Sequence, residues 1–141
     1  MKKLIVALLV LVALTRAEAK QVLTARVTYY HRFGDGFGSK IAMPKKLKEK
    51  LKIFRSTEGK TVAAHSRFPF GTKVIIPDLK GVSGKTLTVV DRGTAVESKK
   101  AARGKNFVFD VYVEADSKRE GEAKILAMSR MNPEYLKVVV Y

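Results

Sequence analysis

Short β-prone runs separated by turn residues restrict the fold of this chain more than any other feature. Six runs are rich in Val, Thr, Ile and aromatic residues, and Gly, Pro, Asn and Asp collect between them. The runs are "VLTARVTYY", "KTVAAHS", "GTKVIIPDL", "KTLTVVD", "NFVFDVYVE" and "YLKVVVY". Because five or six short strands must bury one face around a single core, the sequence predicts a mainly β, compact barrel.

Two segments have the spacing of amphipathic helices. "SKREGEAKILAMSRM" predicts a helix from about Lys118 to Met131 that starts after Asp116 or Ser117. Its core-facing side chains are predicted to be Ile125, Leu126 and Met128. "IAMPKKLKEKLKIF" predicts a second, short helix after Pro44.

The first 19 residues have the pattern of a secretory signal peptide. Two lysines precede an apolar run from Leu4 to Leu14, and the small residues Ala17 and Ala19 predict cleavage after Ala19. The apolar run is too short to span a membrane. Residues 20–141 are then predicted to form one domain, exported to the periplasm or cell envelope as a soluble protein without a membrane span.

The chain is strongly basic, with a formal net charge of +15. Such a charge favours polyanions, which for an exported protein are wall polymers, anionic lipid surfaces or acidic glycans rather than nucleic acid. The same charge is compatible with simple solubility and loose attraction to a negative envelope.

Cysteine is absent, so the protein is expected to have neither a disulfide nor the thiol of a lipoprotein anchor. His31 and His65 are the only histidines, too few for a histidine-rich metal cluster. We expect no metal and no cofactor, and a monomer that relies on core packing.

The segment "TLTVVDRGTAV" places a carboxylate, Asp91, at the end of a β-prone run. Burial there penalises the charged form and raises the pKa, which suits a group that must carry a proton. Asp91 is also compatible with a turn in which its side chain accepts backbone N–H groups. Because neighbouring residues of a strand point to opposite faces, Arg92 is expected to point away from Asp91 or to bind substrate.

Three elements occur in an order that is typical of one superfamily: "AAHSRFPFGT" at 63–72, "DRG" at 91–93 and "FD" at 109–110. Together they resemble the double-psi β-barrel of the rare lipoprotein A family, the three-aspartate domain and the membrane-bound lytic transglycosylase A group. The resemblance covers nearly all of the predicted domain. It implies a six-stranded double-psi β-barrel with one or two short helices.

The resemblance also assigns site residues. Asp91 lies at the catalytic aspartate of the family and Asp110 at its second acidic position. His65 lies where one branch has a histidine and another has its first aspartate. "VTYYHRFGDGFGS" resembles the first strand and loop of the three-aspartate branch, where an aromatic residue lines the cleft. Because Tyr29 and Tyr30 point to opposite faces of a strand, at most one of them can do so, and Tyr30 is predicted to be that residue. Asp35 is compatible with a turn residue or a sugar contact.

The resemblance implies that the partners are the glycan strands of peptidoglycan, and other anionic wall polymers are compatible with the charge. The implied activity is cleavage of the bond between N-acetylmuramic acid and N-acetylglucosamine with a 1,6-anhydro product, as in a lytic transglycosylase. Asp91 protonates the leaving oxygen and then, as a base, takes the proton of the C6 hydroxyl. Asp110 and His65 position the sugar or tune the acid. Arg92, Gly93 and Thr94 complete the predicted substrate-binding residues.

Two other functions are compatible with the same residues. One is a glycan-binding barrel without catalysis, like the expansin-like relatives of this fold, although the absence of tryptophan weakens it. The other is a hydrolase of β-1,4-glycans with two carboxyl groups on either side of a water. Individual residues have structural alternatives too: Asp110 as a buried acid bonded to the "DRG" loop, His65 as a strand-end residue, and His31 as a surface residue.

Overall fold

A closed barrel of six strands forms the body of the protein. The computed structural model describes residues 20–33, 60–82, 86–97 and 107–141. The strands are β1 Gln21–Tyr30, β2 Thr61–Ala63, β3 Lys73–Ile75, β4 Thr86–Asp91, β5 Val108–Tyr112 and β6 Tyr135–Val140. Two helices, α1 Thr94–Glu97 and α2 Lys118–Met131, follow β4 and β5. The predicted fold class, a mainly β, six-stranded barrel with one or two short helices, is confirmed by the described residues.

The strands neighbour one another in the order β1-β5-β2-β4-β3-β6, which closes between β6 and β1. The pairs β1–β5 and β2–β4 are parallel, and the other four pairs are antiparallel. Each of the six β-prone runs contains one strand. Most strands that are neighbours in the barrel are not consecutive in the sequence, so the chain crosses the barrel between them. These crossings bring β2, β4 and β5 side by side.

The side chains on the inner face of the strands fill the main core. Val27, Val62, Val89, Phe109 and Val111 are all buried in this cluster. Since side chains alternate along a strand, the residues between them point to the outer face of the barrel. Ala63, Val96 and Val108 form a separate small cluster there, against which Tyr30 packs.

A β-bulge in β4 decides which face Asp91 occupies. Val62 pairs with Val89, but the next residue of β2, Ala63, pairs with Asp91, so Val90 is an extra residue. Without it, alternation would put Asp91 on the same face as Val89, inside the barrel. Bulges of this kind re-aim side chains. The extra residue places Asp91 on the outer face beside Ala63.

Helix α2 matches its predicted bounds. The side chain of Ser117 caps it by accepting from the Glu120 N–H at 3.1 Å. Met128 is buried and Ile125 packs against the main core, but Leu126 is 52% exposed. The prediction that Leu126 faces the core is wrong, because one residue turns a helix by about 100° and carries this side chain off the buried stripe.

His31 is buried, so its prediction as a surface residue is wrong. Its Nε2 lies 3.0 Å from Glu122 Oε1, and its Nδ1 accepts from the Phe33 N–H at 3.1 Å. Gly121 makes room for the ring, since a Cβ at that position would lie 2.5 Å from a ring carbon. His31 thus anchors the end of β1 to α2.

Several predictions fall on residues outside the described ranges: the signal peptide at 1–19, Asp35, and the helix after Pro44. Within the described ranges, no helix has the length and apolar character that a membrane crossing requires.

Candidate active site

Four residues form a row across the outer face of the barrel. Strand register pairs Asp91 with Ala63, Ala63 with Asp110, and Asp110 with Thr28. Because adjacent strands lie about 4.8 Å apart, the backbones of the two aspartates are separated by roughly 10 Å. The residue between them is alanine, whose short side chain leaves space between the two carboxyl groups.

Asp91 is almost completely buried, with 5% of the residue exposed. Its Oδ1 accepts from the Arg92 N–H at 2.7 Å, and its Oδ2 accepts from the Tyr30 hydroxyl at 3.2 Å. Burial raises the pKa of Asp91, while these two hydrogen bonds and the charge of Arg92 act in the opposite direction.

Asp110 is less covered than Asp91. Its Oδ1 accepts from the Thr28 hydroxyl at 2.9 Å. Burial raises the pKa of Asp110 from its usual 3.8 to about 7, with a further raising effect from the negative charge of Asp91. The Asp110 carboxyl group therefore keeps its proton until the pH rises to about neutral.

The types of hydrogen bond distinguish the two aspartates. The Arg92 N–H can only donate, and the Tyr30 hydroxyl keeps its proton because burial and the nearby Asp91 raise its pKa well above 10. Asp91 therefore meets a donor on each oxygen, which suits a carboxylate. The Thr28 hydroxyl can either donate or accept, so Asp110 can be a carboxylate or a carboxylic acid.

Tyr30 lies beside Asp91 on the outer face of the barrel. Its ring meets that of Tyr112 edge to face, with 5.4 Å between centroids. Tyr29 points the other way and packs against the main core, where burial raises the pKa of its hydroxyl to about 12. Tyr30 therefore contributes both to the burial of Asp91 and to one of its hydrogen bonds.

The Arg92 side chain binds main-chain carbonyls and so points away from the Asp91 carboxylate, the first of its two predicted orientations. Its NH1 donates to Ala64 O at 3.1 Å and to Asp91 O at 3.3 Å, and its NH2 donates to Phe68 O at 2.6 Å. The guanidinium also stacks 4.1 Å from the Phe70 ring centroid. Arg92 thus holds the loop after β2 against the end of β4. That loop contains a turn in which Gly71 has a φ of +93°, a value that glycine adopts without strain.

Replacing Arg92 by Lys is expected to destabilise the protein by about 1–3 kcal/mol, because an ammonium group cannot make the forked bonds or the stacking contact. Urea denaturation measures the change. Arg67→Lys is the matched control, since Arg67 is exposed and contacts the Phe107 ring at 5.5 Å. Unchanged stability combined with weaker glycan binding would instead assign Arg92 to the substrate.

His65 lies in a polar cluster that also contains Glu97, a residue that sequence reasoning missed. His65 Nε2 lies 3.6 Å from Glu97 Oε2, and Glu97 Oε1 accepts from the Ser66 N–H at 2.7 Å. His65 Nδ1 accepts from the Arg67 N–H at 3.0 Å, and its ring packs on Phe107. The described contacts of His65 thus hold the loop against α1.

Glu97 belongs to a helix of four residues, too short to show a period in the sequence. The only signal in the sequence was its position one turn after "DRG". Gly93 accepts from the N–H groups of Val96 and Glu97 at the start of α1, and the space where its Cβ would lie is open. The Thr94 side chain and Asp35 lie outside the described part of the chain.

The described residues contain no group of three His, Cys, Asp or Glu side chains that could hold a metal ion. Comparison with protein-family models, curated proteins and solved structures finds no match for the chain. The chemistry of the site therefore has to be inferred from its geometry and from the residues themselves.

Proposed function

We propose that this protein cleaves the glycan strands of peptidoglycan as a lytic transglycosylase, with Asp91 and Asp110 as its acid–base pair. The observation that carries the proposal is the pair itself. A buried carboxyl group, Asp91, and a half-buried one, Asp110, share the outer face of the barrel on either side of Ala63, and both have raised pKa values. Such pairs of titratable groups at one place are typical of catalytic sites.

The hydrogen bonds favour different catalytic roles for the two aspartates. Asp110 carries the proton, because its partner Thr28 tolerates both protonation states and its pKa of about 7 lets it hold a proton up to neutral pH. Asp91 stays ionised and stabilises the positive charge that develops on the anomeric carbon. These roles differ from the sequence-based hypothesis, which made Asp91 the acid.

The reaction needs no outside proton. Asp110 donates its proton to the glycosidic oxygen as the bond from C1 to that oxygen breaks. The C6 hydroxyl of the same sugar then bonds to C1, and its proton passes to the Asp110 carboxylate. The acid is regenerated, water is not consumed, and the product is a 1,6-anhydro sugar.

Charge and sequence support the choice of substrate. The net charge of +15 attracts anionic wall polymers, and the first 19 residues have the pattern of an export signal. The resemblance of "AAHSRFPFGT", "DRG" and "FD" to the double-psi barrels of wall-active proteins leads to the same substrate class. We accordingly place the protein in the cell envelope.

A hydrolase is the second candidate, because one observation favours it. Backbones roughly 10 Å apart allow the two carboxyl groups to take the separation of about 6.5–9.5 Å that an inverting hydrolase needs for its water. The products separate the two reactions, since hydrolysis leaves a reducing end in place of the anhydro sugar.

The test is digestion of peptidoglycan sacculi by the purified protein, followed by mass analysis of the released sugars. Anhydro-muramyl products that disappear in the Asp91→Asn/Asp110→Asn double variant support the transglycosylase, and reducing ends support the hydrolase. Asp78→Asn, which changes an exposed acid, is the matched control. If nothing is released while wild type and double variant pellet equally with the sacculi, the protein is a glycan-binding barrel.

A further inference from the structure

A cleft of about 300 Å³ lies between β1, α2 and the residues that follow α2. The pairing of β1 with β6 ends at Arg26 and Tyr135, so beyond this point the C-terminal end of α2 and the loop after it face β1. The cleft is lined by Arg26, Val27, Thr28, Tyr29, Ile125, Ser129, Asn132, Pro133 and Glu134.

Thr28 joins this cleft to the candidate active site. Thr28 is one of the residues that line the cleft, and its hydroxyl donates to Asp110 Oδ1 at 2.9 Å. The row Asp91–Ala63–Asp110–Thr28 therefore ends at the cleft. A polymer that lies across the strands, with its reacting bond at Asp110, passes next into the cleft.

Two hydroxyl oxygens of the cleft can accept hydrogen bonds from a ligand. The Thr28 hydroxyl gives its proton to Asp110, and the Ser129 hydroxyl gives its proton to Ile125 O at 2.9 Å, so each oxygen has lone pairs to accept with. The Asn132 side chain is already bonded to the N–H and the carbonyl of Lys80. The two hydroxyl oxygens therefore carry the match, which is to a ligand that donates hydroxyl or amide protons.

The other walls suit the remaining features of a sugar. Ile125 and Pro133 provide apolar surface for a ring face. Arg26 and Glu134 form an ion pair at 2.9 Å on the wall of the cleft, with 29% and 44% of their side chains exposed. A volume of about 300 Å³ lies at the lower limit for ligand pockets and limits the occupant to a small unit.

We propose that this cleft binds the sugar unit next to the reacting bond of the glycan strand, as a substrate subsite. The inference rests on the proposed function for the identity of the polymer. The cleft itself acts by binding alone, so it can be tested without turnover.

The experiment compares binding of N-acetylglucosamine dimer and tetramer to the purified protein by calorimetry and amide chemical shifts. Wild type is expected to bind the tetramer about tenfold more tightly than the dimer, with shift changes at Ser129 and Thr28. Ser129→Phe fills the cleft from an exposed helix position and is expected to remove this preference. Ala127→Phe, an exposed α2 residue that does not line the cleft, is the matched control and should retain it.

The outcomes separate the two proposals. Equal tetramer affinity in wild type and Ser129→Phe, or no tetramer binding at all, would overturn the subsite even if sacculi are cleaved to anhydro products. A tetramer preference that depends on Ser129, in a protein that releases no sugars, would support the subsite while the transglycosylase fails. Amide spectra of both variants establish that they are folded.

Discussion

Asp110→Asn is expected to slow release of anhydro-muramyl sugars about a thousandfold near pH 6, because general acid–base catalysis contributes on that scale. Asparagine keeps the shape of the side chain and its bond from Thr28, but it carries no proton for the leaving oxygen. The measurement is the initial rate of product release from sacculi. Retention of most of the wild-type rate by Asp110→Asn would exclude Asp110 as the acid.

The pH dependence of the same rate tests whether Asp110 is the acid and whether the charge of Asp91 raises its pKa. Wild-type activity is expected to fall as pH rises through about 7, where Asp110 loses its proton. The charge of Asp91 raises the pKa of Asp110, so Asp91→Asn should lower that pKa. The residual activity of Asp91→Asn should therefore decline at lower pH than in wild type. An unchanged alkaline limb in this variant would show that Asp91 does not act on Asp110 through its charge.

The strands and α2 could be predicted from the sequence because their signals are local. Period-2 alternation, turn residues and a Ser cap each act within a few positions, and all six strands and the bounds of α2 agree with them. The motif order also selected Asp91 and Asp110, which the structure places in one row. Tyr30 was chosen over Tyr29 as the cleft residue, and the Asp91 contact places it at the site.

What the sequence could not provide depends on long-range register. The bulge at Val90 is visible only when β2 and β4 are paired, and strict alternation would have buried Asp91 in the core. The hydrogen bond from Thr28 to Asp110 joins residues 82 positions apart. His31 was misplaced for the same reason, since the gap that accepts its ring is made by Gly121 on a distant helix.

Asp110 is also expected to make the protein less stable as pH rises. Its pKa in the native state is about 7, against 3.8 for an exposed aspartate, so between these values the native state binds more protons than the unfolded state. The contribution of Asp110 to the free energy of unfolding is therefore fully present below about pH 4 and is lost as pH rises through about 7. Its size is at most about 4 kcal/mol, at 1.36 kcal/mol per pH unit.

Asp110→Asn should remove this slope, because an amide does not titrate. Urea denaturation at several pH values between about 4 and 8 measures it as the difference between wild type and variant, which cancels most other carboxyl groups. Asp116→Asn changes an exposed acid and should leave the slope intact. Parallel stability curves for wild type and Asp110→Asn would mean that the carboxyl is not held protonated by burial. The acid role would then lose its physical basis. The burial that lowers stability as pH rises is the same effect that keeps a proton on Asp110 for transfer to the glycan.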